Sequence, residues 1–261
     1  MPNDLEVIYS NDTVEHLEFV WGEGFLSPGG TAEVARILHS VNLSGCDVLD
    51  IGSGTGGVDI SLIRDHVANK VIGVDVEQSV IDLATRRVQA QGLSERIVYQ
   101  LIKPGPLPFE DNTFDVVFSK DAIIHISYKE ELYAEIYRVL RPGGRLAVSD
   151  WLRGGGKNVD DVVDKFLEAS GRHFTMITLS ELEKIVNSVG FICIETENRG
   201  AWYLEEAKAE LRRLRGPLQP QFLARWDQKS LQEDIAFWEV LVESLEKGAL
   251  SPSHIRAWKP S

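Results

Sequence analysis

Strand-like and helix-like segments alternate strictly as far as about residue 150 of this 261-residue chain. That rhythm predicts an α/β fold: a mostly parallel sheet covered by helices on both faces. Two further observations support it. A glycine-rich turn, Gly52-Ser53-Gly54-Thr55-Gly56-Gly57, directly follows an apolar run, and seven short apolar or β-branched runs lie along the chain.

In order, residues 1–30 precede the alternation and read as a cover that ends in Ser27-Pro28-Gly29-Gly30. The first strand is expected at 47–51, followed by the glycine turn and a helix over 56–67. A second strand follows at 70–75, with a helix over 77–91. Three more strands are expected at 97–101, 114–118 and 145–149. The helix over 129–140 is expected to stop at Arg141-Pro142-Gly143-Gly144. Beyond residue 150 helical patterns dominate, at 159–169, at 179–188 and, bearing tryptophans, over 203–247 with breaks at Gly216-Pro217 and Pro220. Strands at 191–195 and 254–258 complete the seven. A single domain over 1–261 is expected, with a ligand-binding core at 31–150 and substrate-side helical insertions at 151–180 and 200–250.

The composition, 43% apolar and 26% charged, suits a globular chain long enough to bury a proper core. Lys and Arg number 27 against 40 Asp and Glu, a formal charge of -13 that argues against nucleic acid and anionic membranes as partners. A small, cationic molecule fits that field better. No apolar run reaches the roughly 18 residues of a membrane span. The segment Met1-Pro2-Asn3-Asp4-Leu5-Glu6 lacks the basic and apolar regions of a signal peptide. Cys46 and Cys193 form no metal-ligand pattern. A cytoplasmic protein without a metal centre is expected.

The glycine turn carries the sharpest chemistry. Glycines after a strand let backbone approach a ligand, and the next helix offers free N–H groups. Dinucleotide enzymes use the same spacing. Asp50, two residues ahead of Gly52, shifts the balance, because a carboxylate there repels a pyrophosphate but holds an ammonium. Asp75, at the end of the second strand, is placed to accept both hydroxyls of a ribose. The pair suits S-adenosylmethionine, whose tail is an amino acid.

With these residues the chain resembles the class I S-adenosylmethionine-dependent methyltransferases, with their Rossmann-like seven-stranded sheet. Leu107-Pro108-Phe109-Glu110-Asp111-Asn112-Thr113-Phe114-Asp115 is similar to that family's approach to its fourth strand, and Leu140-Arg141-Pro142-Gly143-Gly144 to its turn into the fifth. The resemblance implies a cofactor held by Asp50, Gly52, Ser53, Gly54 and Gly56, by Asp75 and Val76, by Ile102, and by Ser27 and Lys120, with S-adenosylhomocysteine as product. The family's Asp after the third strand is missing, since Ile102-Lys103-Pro104 stands there, and Lys103 cannot accept a hydrogen bond.

Phe19-Val20-Trp21-Gly22-Glu23-Gly24-Phe25-Leu26, running into Ser27-Pro28-Gly29-Gly30, and Ser119-Lys120-Asp121-Ala122-Ile123-Ile124-His125 resemble the phosphoethanolamine N-methyltransferases. The sarcosine and dimethylglycine methyltransferases are near relations. The resemblance implies an N-terminal segment folded over the cofactor and a Tyr–His pair that deprotonates the amine. His125 matches the histidine. The tyrosine position falls on Leu17, leaving Tyr9 as the substitute phenol. Amine methylation needs a free lone pair, and an imidazole with a pKa near 6.5 can take the proton. Asp121, four residues before His125, shares its face if the stretch is helical, to hold the substrate cation or orient the ring.

For the substrate, Arg172 matches the family's phosphate-binding arginine, but Glu168, Phe174 and Trp151 stand where tyrosines are expected. A phosphate site stripped of hydroxyls is a poor one, so an amine bearing a carboxylate is favoured over phosphoethanolamine. Trp151, Trp202 and Trp238, with Phe25 on the cover, are candidates for an aromatic wall around a methylated ammonium. N-methylation of a small amine or amino acid is the expected reaction. The alternatives are O-, S- or C-methylation of a small metabolite on the same scaffold, or a non-catalytic cofactor-binding module. A macromolecular substrate is disfavoured by the charge. It is also disfavoured by Ser119-Lys120-Asp121, which stands where a base-methylating enzyme carries Asn/Asp-Pro-Pro-aromatic. The sequence leaves the oligomeric state open.

Overall fold

The computed structural model describes residues 9–156 and 159–261. These fall into two compact units. One is built from the chain up to Asp150 with Glu183–Thr196 and His254–Ser261. The other consists of Trp151–Leu182 and Glu197–Ser253.

The first unit opens with helices α1 (Asn11–Trp21) and α2 (Gly30–Ile37). The alternation follows as β1 (Asp47–Ile51), α3 (Gly57–Arg64), β2 (Lys70–Asp75), α4 (Gln78–Ala90) and β3 (Ile97–Leu101). Next come β4 (Phe114–Lys120), α5 (Lys129–Val139) and β5 (Leu140–Asp150). In the second unit lie α6 (Asp160–Ser170) and the start of α7 (Leu179–Ser188); β6 (Ile192–Asn198) returns to the first. Then α8 (Gly200–Leu214), α9 (Gln219–Leu223) and α10 (Gln228–Glu246) fill the second unit, and β7 (Ser253–Trp258) closes the sheet.

The seven strands run β3-β2-β1-β4-β5-β7-β6. β1 pairs with β2 and β4, β2 with β3 and β4 with β5, all in parallel. Strands covered on both faces read as continuous apolar runs, as in Val116-Val117-Phe118 and Leu146-Ala147-Val148, all buried. The core gathers Val34 and Ile37 of α2 and Leu62 and Ile63 of α3 against Val48, Val71, Ile97, Phe118 and Ala147 of the sheet. At the edge, β3 leaves Val98 and Leu101 exposed. The chain reverses direction across the sheet between β1 and β4. In open α/β sheets, ligands lie beyond the carboxyl ends of the strands at such a switch point.

Three local readings differ from expectation. The helix after the glycine turn begins at Gly57, because Gly56 adopts φ 90° and caps it from the left-handed region. It ends at Arg64, and Val67 lies outside it at φ 53°. Arg141-Pro142-Gly143-Gly144 does not merely stop a helix but lies within β5. Leu140 pairs with Phe114, and the ladder resumes at Val116 and Arg145. The four residues bulge because Pro142 has no N–H for a ladder bond and Gly143 takes φ 76°. Two helices, α1 and α2, lie in or border the stretch read only as a cover.

In the second unit, Val159, Val162, Val163 and Ala249 form a small buried cluster with Leu167 and Met176 against it. Trp151, Phe166 and Phe174 stack nearly parallel in sequence, at 14° and 19°. Among the described residues no helix is long and apolar enough to cross a membrane.

Candidate active site

The glycine turn leaves β1 with Gly52 at φ 74°, and a Cβ there would come within 2.2 Å of the Ala122 Cβ. At Gly56 it would strike the Tyr99 hydroxyl at 2.5 Å. Both positions therefore demand glycine, which keeps backbone and N–H groups at the surface of the turn.

Beneath the turn lies a buried acidic pair. Asp50 and Asp59 are 1% and 0% exposed. Burial, then repulsion from Asp59, raises the Asp50 carboxyl well above the usual range. Burial likewise raises Asp59, to about 7. Asp50 Oδ1, both Asp59 oxygens, Ser53 Oγ and the Tyr99 hydroxyl are buried without a hydrogen bond of normal geometry among the described residues. The two carboxyls lie close enough that repulsion from Asp59 adds to burial in raising Asp50.

Asp75 is a tie-point. Its Oδ1 accepts from the Val76 and Glu77 N–H groups at 2.8 and 3.1 Å, and Oδ2 accepts from Gly54 N–H at 3.1 Å. Burial raises its pKa, and the three N–H donors oppose the rise. A carboxylate has about four acceptor sites, so this one locks the turn and keeps capacity on Oδ2. Val76 beside it is 37% exposed. Ile102 donates its N–H to the Asp75 carbonyl at 2.9 Å. Lys103 is exposed.

The N-terminal segment is strapped to this frame at two places. Lys120 Nζ donates to Ser27 Oγ and, at 2.9 Å, to the Pro28 carbonyl, and lies 3.2 Å from Asp121 Oδ2. Glu18 of α1 accepts from Thr55 Oγ1 at 2.5 Å, from Gly24 N–H at 3.0 Å and from Arg87 at 3.0 Å. Arg87 also donates to the Thr55 carbonyl. The sequence reading missed Glu18 and Arg87. No motif marks them, since an acid in α1 and a base in α4 are ordinary on solvated helices. Phe25 packs against the apolar core.

Tyr9 and His125 meet. The Tyr9 hydroxyl lies 3.2 Å from His125 Nε2, with the rings edge to face at 6.0 Å. Tyr9 immediately precedes Ser10, whose side chain accepts from Thr13 N–H and caps α1. Leu17 is a buried residue of α1. The phenol against the histidine is that of Tyr9, the substitute expected because Leu17 stands at the resemblance's tyrosine position.

Asp121 and His125 do not share a helix face. His125 ends a 3₁₀ turn, Ile123–His125, and Asp121 precedes it with φ 57°. A three-residue turn is too short for the i, i+4 relation. The Asp121 side chain is 2% exposed, and its Oδ1 accepts from Ser149 Oγ at 2.7 Å.

The remaining candidates belong to the second unit. Trp151 and Trp202 both stand 4.8 Å from the Tyr203 ring. The Arg199 guanidinium already covers Trp202 at 4.7 Å, and Trp238 is 5% exposed, a packed residue. Arg172 follows the left-handed cap Gly171, its N–H donating to Ser170 Oγ at 3.2 Å.

Comparison with known proteins agrees with this frame. The methyltransferase domain family matches residues 49–148. Phosphoethanolamine N-methyltransferase 2 of Caenorhabditis elegans is 30% identical over 97% of this chain, which spans 57% of that protein's length. The phosphoethanolamine N-methyltransferase of Plasmodium falciparum is 30% identical over 70% of this chain and 68% of its own length. The structure of the Haemonchus contortus phosphoethanolamine N-methyltransferase 2, in complex with phosphomonomethylethanolamine and S-adenosylhomocysteine, superposes with a TM-score of 0.88. It is 27% identical, over 97% of this chain and 59% of that one.

Proposed function

This chain belongs to the phosphoethanolamine N-methyltransferase family, and we propose from that premise that it transfers a methyl group from S-adenosylmethionine to the nitrogen of a small amine. The observation that carries the reading is the Tyr9–His125 contact, a phenol and an imidazole in hydrogen-bond reach beyond the carboxyl end of β4.

The residues fit the cofactor on their own chemistry. The turn at Gly52 leaves a cradle that a Cβ would fill, and Asp50 Oδ1 is buried without a hydrogen bond of normal geometry. Asp50 and the turn would hold the amino-acid tail, Asp75 the ribose, and the exposed Val76 with Ile102 the base. S-adenosylmethionine supplies an electrophilic methyl group on a sulfonium. Within this chain, His125 takes the proton that frees the amine lone pair. Tyr9 orients the imidazole through Nε2. Asp121, held by Ser149 and Lys120, faces the substrate as a fixed negative charge. Alignment of the reacting atoms supplies most of the acceleration. The cytoplasm suits the acidic charge and the two free thiols, Cys46 and Cys193.

The test is a panel of phosphoethanolamine, ethanolamine, glycine, sarcosine and dimethylglycine, scored by S-adenosylhomocysteine release and product mass. Turnover of at least one amine, with mass added at nitrogen, is expected. Carboxylate-bearing amines should exceed phosphoethanolamine, because Arg172 alone remains of the resemblance's phosphate ligands. Cofactor binding without turnover of any amine would reduce the chain to a binding module.

A further inference from the structure

Strand β5 ends in two buried polar residues, Ser149 and Asp150, and both reach the segment that carries Asp121 and His125. The Ser149 carbonyl accepts from Asp121 N–H at 2.8 Å, while its hydroxyl donates to Asp121 Oδ1 at 2.7 Å. Asp150 Oδ1 accepts from Ile124 N–H at 2.8 Å. Lys129, the first residue of α5, donates from Nζ to the Ile123 carbonyl at 2.8 Å and stands 3.7 Å from Asp150 Oδ2. The segment is therefore gripped at residues 121, 123 and 124, immediately ahead of the imidazole.

We propose that Ser149, Asp150 and Lys129 form a clamp that positions the Asp121 carboxylate and the His125 imidazole, with Asp150 and Lys129 acting as positioning residues. The inference rests on the proposed methyl transfer for its catalytic meaning, though not for its geometry.

Stability alone is a poor account of this arrangement. A buried ion pair seldom outperforms an apolar pair of the same volume, because desolvation offsets the attraction. Lys129 and Asp150 have side chains only 3% and 2% exposed. Burial pulls the Lys129 ammonium down, and Asp150 works against that fall. Tyr133 is also set against Asp150; it is fully buried, and its phenol is pushed up first by burial and then by that carboxylate.

What the pair gains is order in the turn. A 3₁₀ turn of three residues satisfies few of its own backbone groups. The clamp takes the Ile124 N–H and adds a second donor to the Ile123 carbonyl, which already accepts from Ile126 N–H at 2.8 Å. Asp121 is held at φ 57°, a conformation that costs a non-glycine residue energy and persists only where neighbours impose it. Ser149 does so from both its carbonyl and its hydroxyl.

The experiment compares Lys129→Met, Asp150→Asn, the double variant and Lys129→Arg in the full chain. Turnover is followed with glycine, or with phosphoethanolamine if that is the amine methylated. The His125 imidazole is titrated by NMR without ligand. Each single variant should lower kcat by about tenfold to a hundredfold, with S-adenosylmethionine affinity within about twofold. The imidazole titration should move or broaden, and Lys129→Arg should recover most of the loss. Wild-type kcat and an unmoved imidazole titration in both single variants would overturn the clamp. If Lys129→Met does not fold, Asp150→Asn and Ser149→Ala decide, the latter by a raised KM for the amine. If the wild type methylates no amine, the functional reading fails, and the imidazole titration alone still decides whether the clamp exists.

Discussion

Tyr9 and His125, 116 positions apart in sequence, meet with the phenol hydroxyl 3.2 Å from Nε2. The tyrosine stands just before the capped start of α1, and the histidine ends the 3₁₀ turn after β4. Beside the bonds from Lys120 to Ser27 and Pro28, this contact joins the N-terminal segment to the carboxyl edge of the sheet. Which partner donates depends on the ring tautomer. In either case Nε2 has a defined neighbour, so removing the phenol takes away a fixed point for the imidazole ring.

His125→Ala is expected to lower turnover roughly 100- to 10,000-fold, the usual contribution of a general base. Tyr9→Phe keeps the ring and loses the hydroxyl, so its effect should be smaller, about tenfold. Calorimetry should find S-adenosylmethionine affinity near the wild-type value in both. A folded His125→Ala protein with normal kcat would remove the histidine from the proton path.

Asp75→Ala removes one carboxylate that meets the N–H groups of Gly54, Val76 and Glu77. Charge-assisted hydrogen bonds contribute about 1.5–3 kcal/mol each, so cofactor affinity should fall by at least tenfold. Amide exchange at Gly54 should rise in the ligand-free protein, because the turn loses its tether. Unchanged affinity in a calorimetric titration would take Asp75 out of the site.

The parallel sheet and its glycine turn were legible because both are written locally. β-branched runs, a Gly-x-Gly spacing and Asp75 at a strand end need no tertiary context. The partners of the site were less legible. Tyr9 carries no local mark and is legible only as the substitute phenol for Leu17, an apolar residue on the buried face of α1. Asp121 and His125 stand at a helical spacing, yet a residue at φ 57° and a short 3₁₀ turn replace the helix. Glu18, Arg87, Lys129 and Asp150 acquire meaning only from partners distant in sequence. Asp59 reads as an ordinary acid in the first turn of α3, where a helix dipole favours it. Only the fold shows that it is buried beside Asp50.

Glu18 links α1 to the glycine turn through Thr55 and to α4 through Arg87. Both side chains of that ion pair are largely buried, at 16% and 10% exposed. Removing Glu18 leaves the buried Arg87 with the exposed Glu23, 3.5 Å from its Nε, as its acidic partner, a weaker compensation. Glu18→Ala should therefore raise hydrogen exchange across residues 10–26, while exchange in β4 and β5 stays as in the wild type. Turnover should fall with it, since Tyr9 is carried on the same segment. Exchange in 10–26 equal to wild type would show that Lys120 and Ser27 hold the segment without Glu18.

The last expectation concerns pH. Asp59 holds its proton up to about pH 7 in the fold, against an ordinary value of 3.8, chiefly because burial disfavours the charge. Asp50, Asp75 and Tyr99 are the titratable groups set against it. Between those two pH values the folded chain binds a proton at this site that the unfolded chain has released. Stability from this site is therefore greatest below about pH 4, falls as pH rises through that window, and levels off above the folded value. At about 1.4 kcal/mol per unit, the span is on the order of a few kcal/mol. Asp59→Asn deletes the titration while keeping the size and an acceptor oxygen. Urea unfolding at pH 5 and pH 8 should show wild-type stability dropping between the two and the variant dropping less, because Asp50 remains. The amide also removes repulsion from Asp50, so the variant's advantage should appear at pH 8 and vanish near pH 4. Parallel stability profiles for the two proteins would show that Asp59 does not carry the buried proton.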